Sequence, residues 1–266
     1  MRTATGARVR AEGLGLRTGQ GTVYAGVGLD AAPGSLTVLR ADSGGGRTSL
    51  LLTLAGRMRP TSGTLAVDGH ELPRAARRVR GTAALALCEG VNDLDERLRV
   101  EEHLRERMLM RLRPAPRSIT GPALAAAGLD GLDTWCLVGE LSMADKRRLG
   151  VALALLDEPR LVLVDNADTG LGPEQQRAFF KRLRTVADTG PTVIAACADA
   201  EAARGIAEVV EIGGQGPPPE GRHHAGRAPA DSPADSPADS PSESPESPAE
   251  SPAPTATPNR SEKENA

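Results

Sequence analysis

Three short apolar runs set the first limit on how this chain can fold: LTVL at 36 to 39, LVLVD at 161 to 165 and TVIAAC at 192 to 197. Each is bounded by polar, glycine or proline residues, and none alternates apolar with polar, which is the pattern of strands buried on both faces. Longer helix-like segments separate them, among them KRRLGVALALL from Lys146 to Leu156. Strands alternating with helices predict an α/β domain around a largely parallel sheet. Between Arg97 and Arg113, RLRVEEHLRERMLMRLR puts Leu98, Glu101, Glu102 and Arg105 at helical spacings that permit i, i+4 pairing, which predicts a largely exposed helix. The core must be aliphatic, because the aromatics are only Tyr24, Trp135, Phe179 and Phe180.

This pattern stops near Gly213, where the sequence turns to repeated SPAD and SPES units. Prolines there block ladder and helix hydrogen bonds and acidic residues repel one another, so 213–266 is predicted to be a disordered tail, separate from a folded domain over 1–212. A solubilising spacer is the plain reading of that tail, and phosphorylation of its serine-proline steps is the alternative. His223 and His224 fall in it and read as incidental. From 231 onward it holds eight acidic against two basic residues, so the rest of the chain, whose total is −3, is mildly basic. A weak excess spread over a whole domain lacks the clustered Lys and Arg of a nucleic-acid binder, and none is expected as partner. Cys88, Cys136 and Cys197 lack the paired spacing of a zinc or redox site and read as buried small hydrophobes. The opening MRTATGARVRAEG has no apolar centre of a secretory leader, and no run approaches the roughly 20 apolar residues of a membrane span. The expectation is a cytoplasmic protein that meets a membrane only through a partner.

The stretch ADSGGGRTS, 41–49, follows the first strand and precedes LLLTLAG. A strand, a glycine turn and a helix start are what polyphosphate binding needs: glycines let backbone N–H groups approach the oxygens and the helix end adds a positive dipole. Against G-x-x-x-x-G-K-[ST], Gly46 and Thr48 keep the second glycine and the hydroxyl, while Ala41 and Arg47 replace the first glycine and the lysine. Taken alone, the stretch fits both a nucleotide loop and an ordinary glycine-rich turn.

Its neighbours decide between them. RPTSGTLAVDGHEL follows at 59 to 72, and LSMADKRRLGVALALLDEPRLVLVDNADTGLGP at 141 to 173. In order and spacing the chain resembles the ATP-binding cassette (ABC) family of transporter ATPases over roughly residues 8 to 212. The resemblance implies a P-loop NTPase fold with a parallel central sheet, an N-terminal antiparallel β subdomain and a helical insert at about 98–145. It also implies ATP and Mg²⁺ as cofactors, with Ser43, Gly44, Gly45, Gly46, Arg47, Thr48 and Ser49 around the nucleotide and Thr48 and Asp165 at the metal.

The departures from the family pattern bear on activity. Arg47 keeps the charge of the family's lysine but is a bulkier planar fork. Asn166 stands where the family has the glutamate that deprotonates the attacking water; an amide cannot take that proton, and losing a general base costs on the order of 10²–10⁴-fold in rate. Ala198 aligns with the switch histidine, and the glutamine loop carries Cys88, Glu89 and Gly90 but no glutamine. No catalytic position is intact. Ser142, Met143, Ala144 and Asp145 stand where the family's Ser-Gly-Gly-Gln signature would be, and Gly172 where its D-loop has Asp. Ser142 reads either as a retained nucleotide contact or as the cap of a plain helix, since Ser142-x-x-Asp145 has the form of a capping box. Thr18 takes the place of the aromatic on which the family stacks adenine; Tyr24 is close, but reads rather as packing beside Val27 and Leu29.

The resulting expectation is the ATP-binding subunit of an ABC-transporter-like complex that binds Mg-ATP with weak or absent hydrolysis. An active transport ATPase and a nucleotide-free scaffold are the alternatives. The partners implied are a transmembrane permease-type protein and a second cassette, the same chain or another. The insert, with RERMLMRLRPAPR at 105 to 117, is where the family docks on a membrane protein, a solvated helix face being the plainer reading.

Overall fold

The computed structural model describes residues 5–42, 44–112 and 115–212. Ser43 and the tail assigned to 213–266 lie outside the described residues. In chain order the elements are β1 (Val9–Thr18), β2 (Gly21–Ala31), β3 (Leu36–Arg40), α1 (Arg47–Leu54), β4 (Ser62–Val67), β5 (His70–Leu72), α2 (Ala76–Thr82) and β6 (Ala83–Leu85). Then follow α3 (Val100–Leu109), α4 (Arg117–Ala126), α5 (Met143–Leu155), β7 (Leu161–Val164), α6 (Pro173–Asp188), β8 (Thr192–Cys197) and β9 (Glu208–Glu211). The three apolar runs read from the sequence are β3, β7 and β8.

Those three lie side by side in a five-stranded sheet of order β6-β7-β8-β3-β9, in which every pairing is parallel. Side chains of successive strand residues point to opposite faces, so each run feeds two cores. Val162, Val164, Val193 and Ala195 face one, packed against residues of α3 to α6 such as Leu104, Leu149, Phe180 and Leu183. Leu161, Leu163, Ile194 and Ala196 face the other, against Leu50, Leu51 and Leu54 of α1 and the inner face of the second sheet. Burial on both faces is why these strands show no polar alternation.

The second sheet, β2-β1-β4-β5, is antiparallel and lies early in the chain, matching the expected N-terminal β subdomain. β1 departs from regular pairing, with register shifts toward both of its neighbours. The turn into β4 explains the RPTSG stretch: Thr61 accepts from the Arg17 amide at 2.9 Å, and Gly63 adopts φ +78 with Gly13 O at 2.4 Å from where a Cβ would stand. Only glycine fits there.

The helix predicted over 97–113 is shorter and more buried than its sequence suggests. α3 spans Val100–Leu109, and Val100, His103, Leu104 and Met108 bury one face against α5 and the core. The predicted i, i+4 pair does form, with Arg105 Nη2 donating to Glu101 Oε1 at 2.5 Å on the outer face. Trp135 is the exception among the aromatics: it is 57% exposed, beneath the Arg99 guanidinium at 5.4 Å.

Phe180 is fully buried on the helical side of the parallel sheet. Phe180→Ala is expected to destabilise the fold by about 3–5 kcal/mol, read from the shift of the urea unfolding midpoint at unchanged slope.

Candidate functional site

The carboxyl ends of β3, β8 and β7 lie next to one another, and in open parallel sheets ligands bind outside such ends. Three segments leave the sheet here: 41–46 after β3, 165–172 after β7 and 198–200 after β8. The sheet extends into them, since Ala41 N donates to Cys197 O at 3.3 Å and Ala167 N to Ala196 O at 2.8 Å.

The first segment turns tightly into α1. Gly45 N donates to Asp42 O at 2.9 Å, and Gly44 and Gly46 take φ +82 and +75. At Gly46 the constraint is absolute, because a Cβ would stand 2.6 Å from Val23 O; at Gly44 there is open space. The N-cap of α1 is therefore a glycine without a side chain to satisfy the helix end. Ser49 contributes its carbonyl, which accepts from Thr53 Oγ1 at 2.8 Å. That proton commitment makes Tyr24 the donor in its 2.7 Å bond to Thr53, and Tyr24 is buried, so it packs as the sequence suggested.

Two residues of α1 reach the segment after β7. Thr48 Oγ1 donates to Asp165 Oδ2 at 2.5 Å, and Asp165, buried at the end of β7, also accepts the Asn166 amide at 2.9 Å and the Cys88 thiol at 3.6 Å. Arg47 bridges the loop and the strand end: Nη1 donates to Ala41 O at 3.0 Å and Nη2 to Asn166 Oδ1 at 3.1 Å. Asn166 sits at φ +46, a left-handed conformation that asparagine tolerates better than most residues.

Ala198 follows the end of β8 with only a methyl group to offer, and its backbone is held from both sides. Asp168 Oδ2 accepts from Ala198 N at 2.9 Å and from Asp199 N at 3.0 Å, and Arg40 Nε donates to Ala198 O at 3.3 Å. The other oxygen of Asp168 is buried and has no hydrogen-bond partner among the described residues.

The Cys88, Glu89, Gly90 loop is stapled by two side chains, and Asp93 Oδ2 accepts from Gly90 N at 2.8 Å. Asn92 Oδ1 accepts from Cys88 N at 2.8 Å while its amide nitrogen donates to Leu85 O and Ala86 O. Burial, then the neighbouring Asp165 charge, pushes the Cys88 thiol up to about 12; burial and Asp168 do the same for Cys197. Cys136 is only partly buried, so the reading of all three as buried residues holds for Cys88 and Cys197 alone. Cys88 is also more than a small hydrophobe, because its S–H is directed at Asp165.

Ser142 caps α5. Its Oγ accepts from Asp145 N at 3.1 Å and donates to Asp145 Oδ2 at 2.7 Å, so the carboxylate closes on the hydroxyl rather than on the Ser142 amide of a full capping box. Next to it Met143 packs on Gly170, where a Cβ would meet it at 2.8 Å. Arg147, one turn on, donates to Asp165 O at 3.3 Å and Thr169 O at 3.1 Å, and burial lowers its pKa while Asp168 and Asp165 pull it back up. Between these elements lies a cleft of about 440 Å³ lined by Glu89, Met143, Lys146, Arg147, Asp165 and Asn166. The structure thus gathers Arg47, Thr48, Asp165 and Asn166 at one point, with Ala198 beside them, and leaves Ser142 engaged with its own helix.

The sequence profile described as "ABC transporter" matches residues 24–169, more than half of the chain and all of this constellation except the end of β8. The chain belongs to the ABC transporter family. Among curated relatives of this ABC protein, the Nod factor export ATP-binding protein I of Paraburkholderia xenovorans is 32% identical over 178 residues, covering 66% of this chain and 58% of that protein. An ABC transporter ATP-binding/permease protein of Mycobacterium tuberculosis is 30% identical over 180 residues, 66% of this chain and 21% of that one. The chain thus spans under two thirds of the length of the curated relatives it matches. Among solved structures, CbiO1 of Clostridium perfringens, part of an ABC transporter complex, superposes with a TM-score of 0.65 at 20% identity over 77% of this chain and 84% of that one. A nucleotide-free ATP-binding cassette from an ABC transporter gives 0.65 at 14% identity over 77% and 87%. The fold is that of the ABC P-loop NTPases.

Sequence reasoning missed Asp168 and the Arg47–Asn166 contact. An acid three residues beyond Asp165 was visible as a letter, but its partners are backbone N–H groups about thirty positions on and leave no sequence signal. Asp168→Ala removes the acceptor of both bonds. Hydrogen exchange at Ala198 and Asp199 is expected to accelerate about tenfold or more, the cost of losing charge-assisted bonds, while Ile194 and Ala195 within β8 stay protected.

Proposed function

We propose that this chain is the ATP-binding subunit of an ABC-type transport complex, one that holds Mg-ATP and hydrolyses it very slowly or not at all. The observation that carries this reading is the 2.5 Å bond between Thr48 and Asp165 with an amide, Asn166, beside it. A hydroxyl and a carboxylate already in contact are the pair that would hold Mg²⁺ at a phosphate site, Thr48 directly and Asp165 in or behind its water shell. Among the described residues no three His, Cys, Asp or Glu side chains gather as a metal cage, so an ion here would draw its other oxygens from phosphates and water. The glycine turn fits a polyphosphate: its helix end is uncapped by side chains and the space at Gly44 is open. Bound Mg²⁺ would supply charge neutralisation for the phosphates.

What this chain's own residues would do is bind and orient. Gly44, Gly45, Gly46 and Ser49 would line the phosphates with Ser43, and Arg47 would add a positive charge. A water at the far phosphate would find Asn166, which cannot take its proton, and Ala198, which has no side chain to reach it. Since the hydroxyl of Ser142 is committed to Asp145, a second cassette facing this one would be offered a capped helix start with Met143 and Ala144 in the way. For these reasons Arg47→Lys with Asn166→Glu is not expected to produce vigorous turnover.

Docking on a membrane protein, through the insert, follows from the same reading. Among the described residues no helix is long and apolar enough to cross a membrane. A groove of about 280 Å³ lined by Val91, Leu94, His103, Arg107 and Met110 opens beside the Cys88 loop, and Leu109 and Met110 at the end of α3 are exposed. The Nod factor export relatives and the CbiO1 structure, part of an ABC transporter complex, support a transport complex as the setting, with a second cassette as dimer partner.

Calorimetric titration of the full chain with ATP, with and without Mg²⁺, tests the reading. Saturable binding that strengthens with Mg²⁺ is expected, Thr48→Ala should lose about tenfold of the Mg²⁺-dependent part, and steady-state phosphate release should stay at background. Absence of binding up to millimolar ATP would make the chain an interaction scaffold. Rapid release would make it an active ATPase.

A further inference from the structure

Arg47 is surrounded by neutral acceptors. Its guanidinium reaches the Ala41 carbonyl on one side and the Asn166 side chain on the other, and among the described residues no carboxylate pairs with it. The amide orientation of Asn166 follows from chemistry, because arginine only donates and the facing atom must be the oxygen. Asn166 is itself fixed by its backbone N–H, which donates to Asp165 Oδ1, and by a left-handed backbone. The nearby Asp165 carboxylate is taken up by Thr48, Cys88 and the Asn166 amide.

We propose that Arg47 and Asn166 form one coupled unit, in which Asn166 positions the guanidinium while leaving its charge available to phosphate, so that the asparagine is a requirement of the arginine rather than only a lost base. The inference rests on the nucleotide-binding reading of this loop. The reason is electrostatic competition. A carboxylate at 166 would stand where the amide oxygen now stands, 3.1 Å from Nη2, and form a charge-assisted bond that engages the same charge that would serve the phosphates. Lysine, a point charge on a flexible stem, cannot span the Ala41 carbonyl and residue 166 at once as the planar fork does, so it is less completely captured. An arginine in the loop thus favours a neutral neighbour at 166, and a lysine tolerates an acidic one.

Asn166→Asp is the sharp test, since aspartate is nearly isosteric with asparagine and also tolerates the left-handed backbone, whereas glutamate would add strain. The full chain and its Asn166→Asp, Arg47→Lys and doubly substituted variants are compared by calorimetric titration with Mg-ADP and by melting temperature without nucleotide. ADP is used because it lacks the terminal phosphate that a new charge at 166 would repel directly. Asn166→Asp is expected to raise the nucleotide-free melting temperature by a few degrees and to weaken Mg-ADP about tenfold, opposite movements that a merely structural residue would not give. In the Arg47→Lys background the loss of affinity should shrink below about threefold. Unchanged ADP affinity, an equal loss in both backgrounds, or a lower melting temperature overturns the proposal. A parent chain that binds neither ADP nor ATP defeats the nucleotide reading instead, and the melting temperatures in the two Arg47 backgrounds still decide whether residues 47 and 166 are coupled.

Discussion

The hydrogen bond from Thr48 to Asp165 joins residues 117 positions apart, and its existence depends on the strand order that brings β3 and β7 to either side of β8. Three strands that carry no charged residue along their buried length must end together for a loop, a helix start and a carboxylate to share one point. The two cores on either side of the sheet fix that coincidence, because a one-residue slip would turn each strand's side chains to the opposite face. A buried carboxylate at such a place is tolerable only when its lone pairs are taken up. Here a hydroxyl, a thiol and a backbone amide do so.

Around this point, residues at and beside the altered family motifs have structural work. Asp168 ties the end of β8 to the segment after β7, Ser142 and Asp145 close the first turn of α5, Met143 fills the space over Gly170, and Asn92 staples the loop that carries Cys88. Each replacement satisfies a local donor or acceptor or fills a gap. On the proposed reading such a site would keep its binding chemistry while lacking a proton acceptor at 166, and the backbone of Ala198 is held at both its N–H and its carbonyl.

How much of this the sequence disclosed follows from where each signal is stored. β3, β7, β8 and α5 were legible because continuous apolar runs and helical periodicity are local properties. β1 could be reached only through resemblance: its glycines and register shifts break the two-residue alternation that would have marked it. The burial of α3 was underestimated because Val100, His103, Leu104 and Met108 form a narrow stripe among charged neighbours. Tyr24 was read correctly, as its apolar companions at 27 and 29 were adjacent in sequence. The Arg47–Asn166 and Asp168–Ala198 contacts had no local trace at all, since both join segments brought together only by the parallel crossovers.

The central claim is that nucleotide stays intact once bound, and the identity of the retained nucleotide tests it most directly. Full-length protein incubated with Mg²⁺ and base-labelled ATP, freed of unbound ligand by rapid gel filtration and then denatured, releases whatever the site held. The account predicts ATP as the retained species after an hour, with ADP at the level of the protein-free control. Recovery of mostly ADP would contradict it, because the chain would then have cleaved the nucleotide without an acid–base residue at 166 or 198.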